Sequence, residues 1–326
     1  ADALDGCIVS FDRKFELLEK ETVDLGKSYK TEYEQCIKEG YKSSEDSARV
    51  LDLENILNSK TIQLLDRLIS KSNIKKDSIK MAALSGQTMF HTYEKSFQIG
   101  NSQSIADTTG INICSDFRNY DIKKGGMGAP LIPIFHKYLY AKNDVNRIIF
   151  NIGGIANGTY LRDGQISIAS DVGPGNCLLD SYCENYLGTP FDNMGKISSN
   201  GEINHNLLNS LLSATINMAY PRADDKNDYY KLMHEPLIEL CNEDILRTLT
   251  EFTALKIYEF YEFCDQPSEV IFHGGGVKNS FLMKVIKEKL DCDLRTTDNE
   301  IDSKYVEAAA FAYLAYKNLG EIFLAK

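Results

Sequence analysis

Two apolar runs that end in glycine, residues 147–157 and 166–176, restrict this chain more than any other stretch. Arg147-Ile148-Ile149-Phe150 has the unbroken apolar character of a buried strand, and Asn151-Ile152-Gly153-Gly154-Ile155-Ala156-Asn157 follows it. Gly153 and Gly154 put no side chain between the backbone amides and an anion such as phosphate. Ile166-Ser167-Ile168-Ala169 is strand-like again and leads through Asp171 to Gly173-Pro174-Gly175-Asn176, a turn before a helix that Asn176 is placed to cap. A carboxylate at a strand end beside a helix start suits acid–base work, so Asp171 is the candidate base. Each segment alone reads equally well as a tight turn, the second with a solvated acid; together they point to a site.

The chain has 326 residues, enough for two cores. A net charge of -11 argues against nucleic acid or an anionic membrane as the main partner, since most of the surface would repel either. No run of about 18 apolar residues occurs, so no membrane span is expected. The eight cysteines form no C-x-x-C pair and several lie in apolar runs, which fits reduced thiols and a cytoplasmic location. The five histidines share no ligand spacing, and structural or surface roles are expected for each.

Cys7-Ile8-Val9-Ser10-Phe11 reads as a strand, the second of a hairpin whose first strand is absent. Helical patterns follow over 28–38 and 44–72, the second with Leu53, Ile56, Leu57, Leu64, Leu65 and Leu68 on a buried face. Residues 79–84 are strand-like and break at a polar turn, Ser85-Gly86-Gln87-Thr88, where a ligand-facing loop belongs in an open α/β sheet. A short strand at 111–115 precedes Asp116-Phe117-Arg118. The glycine cluster 125–130 marks the expected boundary between an N-terminal α/β domain, 1–125, and a C-terminal one, 126–326. The second domain is expected to hold a helical insertion at about 200–240, a helix at 244–263, and a strand at 270–272 that enters His273-Gly274-Gly275-Gly276, a third strand–glycine–helix passage. Its last helix, 304–319, is expected to pack back on the first domain.

Two α/β halves with glycine turns after strands and acids at strand ends resemble the acetate and sugar kinase, hexokinase and actin superfamily. The resemblance implies an α/β fold of two ribonuclease H-like domains with a cleft between them. Gln87-Thr88, Thr109-Gly110-Ile111, Asp116-Phe117-Arg118, Asn151 to Asn157, Asp171 with Gly173-Pro174-Gly175-Asn176, and Gly274-Gly275-Gly276 resemble, in order and spacing, the anhydro-N-acetylmuramic acid kinase family. That family has an N-terminal phosphate loop followed by x-Asp-x-x-Asp, and Asp2 and Asp5 share this spacing. The chain is therefore expected to start immediately after the loop.

The resemblance implies an enzyme that uses ATP, water and Mg²⁺ to open a 1,6-anhydro sugar and phosphorylate its O6. It assigns Asp171 as base and Gly153, Gly154, Gly173, Gly274, Gly275 and Gly276 to the nucleotide. Gln87, Thr88, Arg118 and Asn151 fall to the sugar, and Asp2 to the metal. Arg118 has the fork to bind a lactyl carboxylate, or else pairs with Asp116 or Asp121. Glu307 either orients a loop or simply sits at a helix start. A homodimer is left open. Two departures stand out: Ser85 replaces the family's histidine, and Arg222-Ala223-Asp224-Asp225-Lys226-Asn227 replaces Lys-Ser-Thr-Gly-Arg-Glu. They leave room for a relative that binds without turnover, or one acting on another anhydro sugar.

Overall fold

The first strand, β1 (Ala3–Ser10), turns back on β2 (Glu16–Asp24) in an antiparallel hairpin. In this computed structural model residues 3–214, 219–233 and 240–326 are described. β2 went unassigned from sequence because Glu19 and Glu21 interrupt its apolar character. Its Val23 is buried and, with the partly buried Leu4 and Ile8 of β1, packs on Leu64 and Leu68. These leucines belong to α2 (Ala48–Ser72), which follows α1 (Lys27–Glu39) and is capped by Ser47 accepting from the amide of Arg49. Leu53, Leu57, Leu64 and Leu68 of α2 are buried as the spacing predicts, but Ile56 is 42% exposed.

The expected strand at 79–84 shortens to β3 (Ala82–Ala83). The polar turn after it is also shorter than expected, since Gln87 already opens β4 (Gln87–His91), paired with β5 (Ser96–Ile99). Then come α3 (Ser102–Thr109), β6 (Ile113–Ser115), α4 (Phe117–Lys123) and α5 (Pro133–Tyr140). The chain divides into two units, residues 1–135 with 305–326, and residues 136–304.

The second unit is built on β7 (Arg147–Ile152), β8 (Ala156–Arg162), β9 (Gln165–Gly173), α6 (Cys177–Tyr182), α7 (His205–Ala214), α8 (Lys226–Tyr230), α9 (Asn242–Phe263), β10 (Glu269–His273), α10 (Ser280–Lys289) and β11 (Asp293–Thr296). Its sheet runs β11-β10-β7-β8-β9, with β7, β10 and β11 parallel and β8 and β9 antiparallel, the ribonuclease H-like arrangement. Alternation along the strands sets the two faces. Ile148, Phe150, Ile152, Val270 and Phe272 pack against α9 and α10, while Ile149, Leu161 and Ile271 pack against Tyr140 of α5. Gly153 and Gly154 join two antiparallel strands, so of the three expected strand–glycine–helix passages those after β9 and β10 are realised. Of the expected insertion, 215–218 and 234–239 lie outside the described residues.

The chain ends with α11 (Val306–Tyr316) and β12 (Glu321–Phe323), both in the first unit. There β12-β6-β3 forms one small sheet and β1-β2 another, and α11 packs on both β1 and β3.

Candidate active site

β9 carries Asp171 two residues before its end, and the strand register sets it in a row. Asp171 is opposite Asn157, Asn157 opposite Asn151, and Asn151 beside His273. Residues facing each other across strands share a face. The apolar stripe of Ile149, Leu161 and Ile271 therefore gives way, at the strand ends, to three polar side chains and an imidazole.

The segment before α8 runs alongside β9 and brackets the carboxylate. The Asp171 amide donates to the Arg222 carbonyl at 3.0 Å, and the Arg222 amide to Ser170 Oγ at 2.9 Å. The Asp224 amide donates to Asp171 Oδ2 at 2.9 Å. Asp224 is itself fixed: Arg222 Nε reaches its Oδ1 at 2.9 Å, and the Tyr229 hydroxyl donates to its Oδ2 at 2.5 Å. Arg222 Nη2 also donates to the Val172 carbonyl at 2.7 Å. Burial pushes the Asp171 carboxyl up to about 6; the Asp224 carboxylate adds to this, while the Asp224 amide and Arg222 oppose it. The 222–227 loop thus forms one wall of the surroundings of Asp171. Sequence reading registered only its lost hydroxyls and added acid, because nothing in the spacing shows that it lies on β9.

The glycine turns meet beside this row. Asn176 does not cap α6 with its side chain; its amide donates to the Gly153 carbonyl at 2.9 Å and its Nδ2 to the Ile152 carbonyl at 3.4 Å. The Cys177 amide donates to the Gly154 carbonyl at 3.0 Å. Gly175, at φ +53°, approaches so closely that a Cβ would lie 2.4 Å from the Gly153 oxygen. The turn after β9, and with it Asp171, is thereby tied to the 153–154 turn. The other glycines divide by cause. Cβ atoms at Gly274 and Gly276 would strike Asn151 Oδ1 and the Ile152 side chain, each at 2.2 Å, and one at Gly173 would lie 2.6 Å from Lys256 Cβ. These three are required by close packing. Gly275 has nothing within 4 Å of such a Cβ, so it alone of the 274–276 run borders open space. Asn151 stands between the turns, against Gly274 on one side and 3.8 Å from a Cβ on Gly153 on the other.

Gln87, Thr88 and Arg118 belong to the first unit. Gln87 is buried, its Oε1 accepting from the Tyr29 hydroxyl at 2.6 Å, and its Nε2 has no partner among the described residues. The Thr88 carbonyl accepts from the Tyr33 hydroxyl at 2.6 Å. Arg118 Nη1 donates to the Gly128 carbonyl at 3.0 Å. The expected alternative of an ion pair is not realised: Asp116 accepts from Asn119 and Asp121 from the Gly128 amide. The acid that supports the Arg118 charge against burial is Glu307, whose own carboxyl is raised by the crowding around it and lowered by Arg118. Asp2, expected at the metal, lies outside the described residues; Asp5 Oδ1 accepts from Thr22 at 2.6 Å. A hollow of about 280 Å³ in this unit is lined by Ser85, Gly86, Asn101, Asp116 and Glu321, but not by Gln87, Thr88 or Arg118.

Two histidines that share no sequence spacing are neighbours. His136 Nε2 and His273 Nε2 are 3.0 Å apart, both buried, and His136 Nδ1 lies 3.0 Å from Thr159 Oγ1. Burial holds both imidazoles well below their usual range, His273 to about 3. No spacing signals this pair, which arises because His136 of α5 meets Thr159 in the middle of β8 and His273 at the end of β10.

A sequence profile described as anhydro-N-acetylmuramic acid kinase matches residues 1–323. The chain is 35% identical over 326 residues to an anhydro-N-acetylmuramic acid kinase of gamma-proteobacterium EBAC31A08, covering 98% of this chain and 89% of that one. It is 37% identical over 269 residues to one of Shewanella putrefaciens (strain CN-32 / ATCC BAA-453), covering 78% and 72%. Among solved structures, the activator of the 2-hydroxyisocaproyl-CoA dehydratase from Clostridium difficile with bound ADPNP shares the fold, with a TM-score of 0.52 at 13% identity over 98% of this chain and 92% of that one.

Proposed function

The chain belongs to the anhydro-N-acetylmuramic acid kinase family, and on that premise we propose that it converts 1,6-anhydro-N-acetylmuramic acid, ATP and water to N-acetylmuramic acid 6-phosphate and ADP, a step in peptidoglycan recycling. The observation that carries the reading is Asp171, a partly desolvated carboxylate at a strand end whose turn is bonded to the 153–154 turn.

Water oxygen bonds to C1 of the sugar as the C1–O6 bond breaks. O6 in turn bonds to the γ-phosphorus, and ADP departs with the bridging oxygen. The proton lost by water goes to Asp171. A carboxyl near 6 is ionised at neutral pH yet basic enough to accept that proton, which is the compromise general base catalysis needs. The bracket of Asp224, Arg222 and Tyr229 restricts the orientation of the carboxylate. The amides of Gly153 and Gly154 suit the phosphates, and Gly275 suits the approach of the nucleoside. Mg²⁺ would offset the charge of the polyphosphate, with Asp2 as the residue we assign to it. Arg118 is assigned to the lactyl carboxylate, which a guanidinium binds with two hydrogen bonds. Eight free thiols support a cytoplasmic setting.

The test is sugar-dependent ADP release by the complete chain and by Asp171→Asn. The variant is expected to lose at least about a hundredfold in rate with its fold intact; unchanged turnover would remove Asp171 from the reaction. The Asp224 amide on Asp171 Oδ2 also suits a second reading, a sugar binder without turnover. Calorimetric sugar binding without phosphoryl transfer would select it.

A further inference from the structure

Lys226 opens α8 and is anchored on both sides. Asp225 before it accepts from the Asn227 amide at 2.8 Å, and Tyr229 after it is buried with its hydroxyl on Asp224. From this fixed root the side chain lies across Gly154. A Cβ on that glycine would sit 2.6 Å from both Cε and Nζ of Lys226. Gly153, by contrast, would meet nothing closer than the Ile155 carbonyl at 3.3 Å. Gly154 thus leaves the space that the lysine head occupies, and any side chain there would push it aside.

Two other cations beside these turns, among the described residues, are already engaged. Arg222 is held by Asp224 and the Val172 carbonyl, and Lys256, whose stem covers Gly173, pairs with Glu259 at 2.8 Å. The nearby acid Asp228 is taken by Lys231 at 2.7 Å. Lys226 makes no ion pair or side-chain hydrogen bond among the described residues, and it is solvent-exposed. An ammonium with three donors, placed over a side-chain-free turn, forms with the turn's amides a site for a polyphosphate anion.

We infer that Lys226 binds the terminal phosphates of the nucleotide together with Gly153 and Gly154. The inference rests on the reading that the nucleotide's phosphates lie at this turn, and adds the side chain that grips them. It also gives Gly154 a role distinct from Gly153. The first glycine keeps the backbone open, while the second makes room for the lysine head.

The experiment measures binding of inorganic tripolyphosphate, a non-hydrolysable ATP analogue and adenosine to the complete chain by calorimetry. Lys226→Met is expected to weaken tripolyphosphate and the analogue by about tenfold or more, as for loss of one charge-assisted contact. Adenosine binding and the melting temperature should stay unchanged, and Lys226→Arg should keep most of the affinity. Gly154→Ala, which displaces the ammonium, should reproduce the loss and add little to Lys226→Met. Wild-type affinity for both phosphate ligands in Lys226→Met would overturn the inference while leaving the turn's assignment standing. Failure of the wild type to bind either phosphate ligand would overturn both.

Discussion

The two units use their strands differently, and the contrast is sharpest between β7 and β1. In the second unit β7 is central: five of its six residues are buried, and it joins the parallel pair β10-β11 to the antiparallel pair β8-β9. In the first unit the antiparallel pair β1-β2 and the parallel pair β3-β6 stay in separate sheets, although α11 packs on both β1 and β3. No residue of β1 is buried, and among the described residues no strand joins the two sheets. A central strand does more than add hydrogen bonds. It brings the ends of its neighbours level, so Asp171, Asn157, Asn151 and His273 fall in one row with glycine turns beside them. Without such a strand, the first unit offers its candidate side chains singly, Gln87 beside Tyr29 and Arg118 on the Gly128 carbonyl.

The largest expected consequence is in backbone protection. Amides of β7 and β10 should exchange with solvent at least about a thousandfold more slowly than those on the open side of β1. Equal protection in hydrogen-exchange mass spectrometry would break the contrast. Acidification should come next. His136 and His273 are neutral in the fold and gain protons on unfolding, so their contribution is present above about 6.5 and falls as the pH drops below it. Asp171 works the other way, because its raised folded value favours the fold on acidification. Two imidazoles outweigh one carboxyl, and the second unit should lose about 2–3 kcal/mol between pH 7 and pH 5 in denaturant melts. Melts of this unit whose midpoints hold steady between pH 7 and pH 5 would contradict this.

Substitutions sharpen the functional side. Arg118→Ala should raise the KM for the acidic sugar about 10- to 30-fold with little change in kcat, and the penalty should vanish for a sugar lacking the lactyl acid. A kcat defect of the same size would move Arg118 from binding to chemistry. The smallest effect is expected from Asp224→Asn: with the neighbouring charge gone, the acid limb of the rate profile should shift to lower pH. An upward shift would show that Asp224 acts through its hold on Arg222 instead.

The second unit was legible because its sequence repeats one device. Continuous apolar strands at 147–152 and 269–273 end in glycine, and such runs read clearly as buried strands. The position of Asp171 near the end of a strand that runs into glycine was legible in the same way. The first unit was harder. The charged alternation of β2 hides a half-buried strand, and β3 is two residues long, too short to show a period. What no spacing could show was tertiary: the 222–224 segment lying on β9, the two imidazoles meeting across 137 positions, and Lys226 over Gly154. Three of the six glycines assigned to the nucleotide proved to have a packing reason as well, since a glycine required by a neighbour and one required by a ligand look alike in sequence.

The most direct measurement is the pH dependence of sugar-stimulated ADP release by the complete chain, with the fold followed by circular dichroism at each pH. If Asp171 is the base, kcat/KM should be level above about 6 and fall about tenfold per pH unit below it, and Asp171→Asn should lie at background throughout. A folded wild type whose rate holds steady down to pH 4.5, or an Asp171→Asn variant that keeps the wild-type profile, would contradict that assignment.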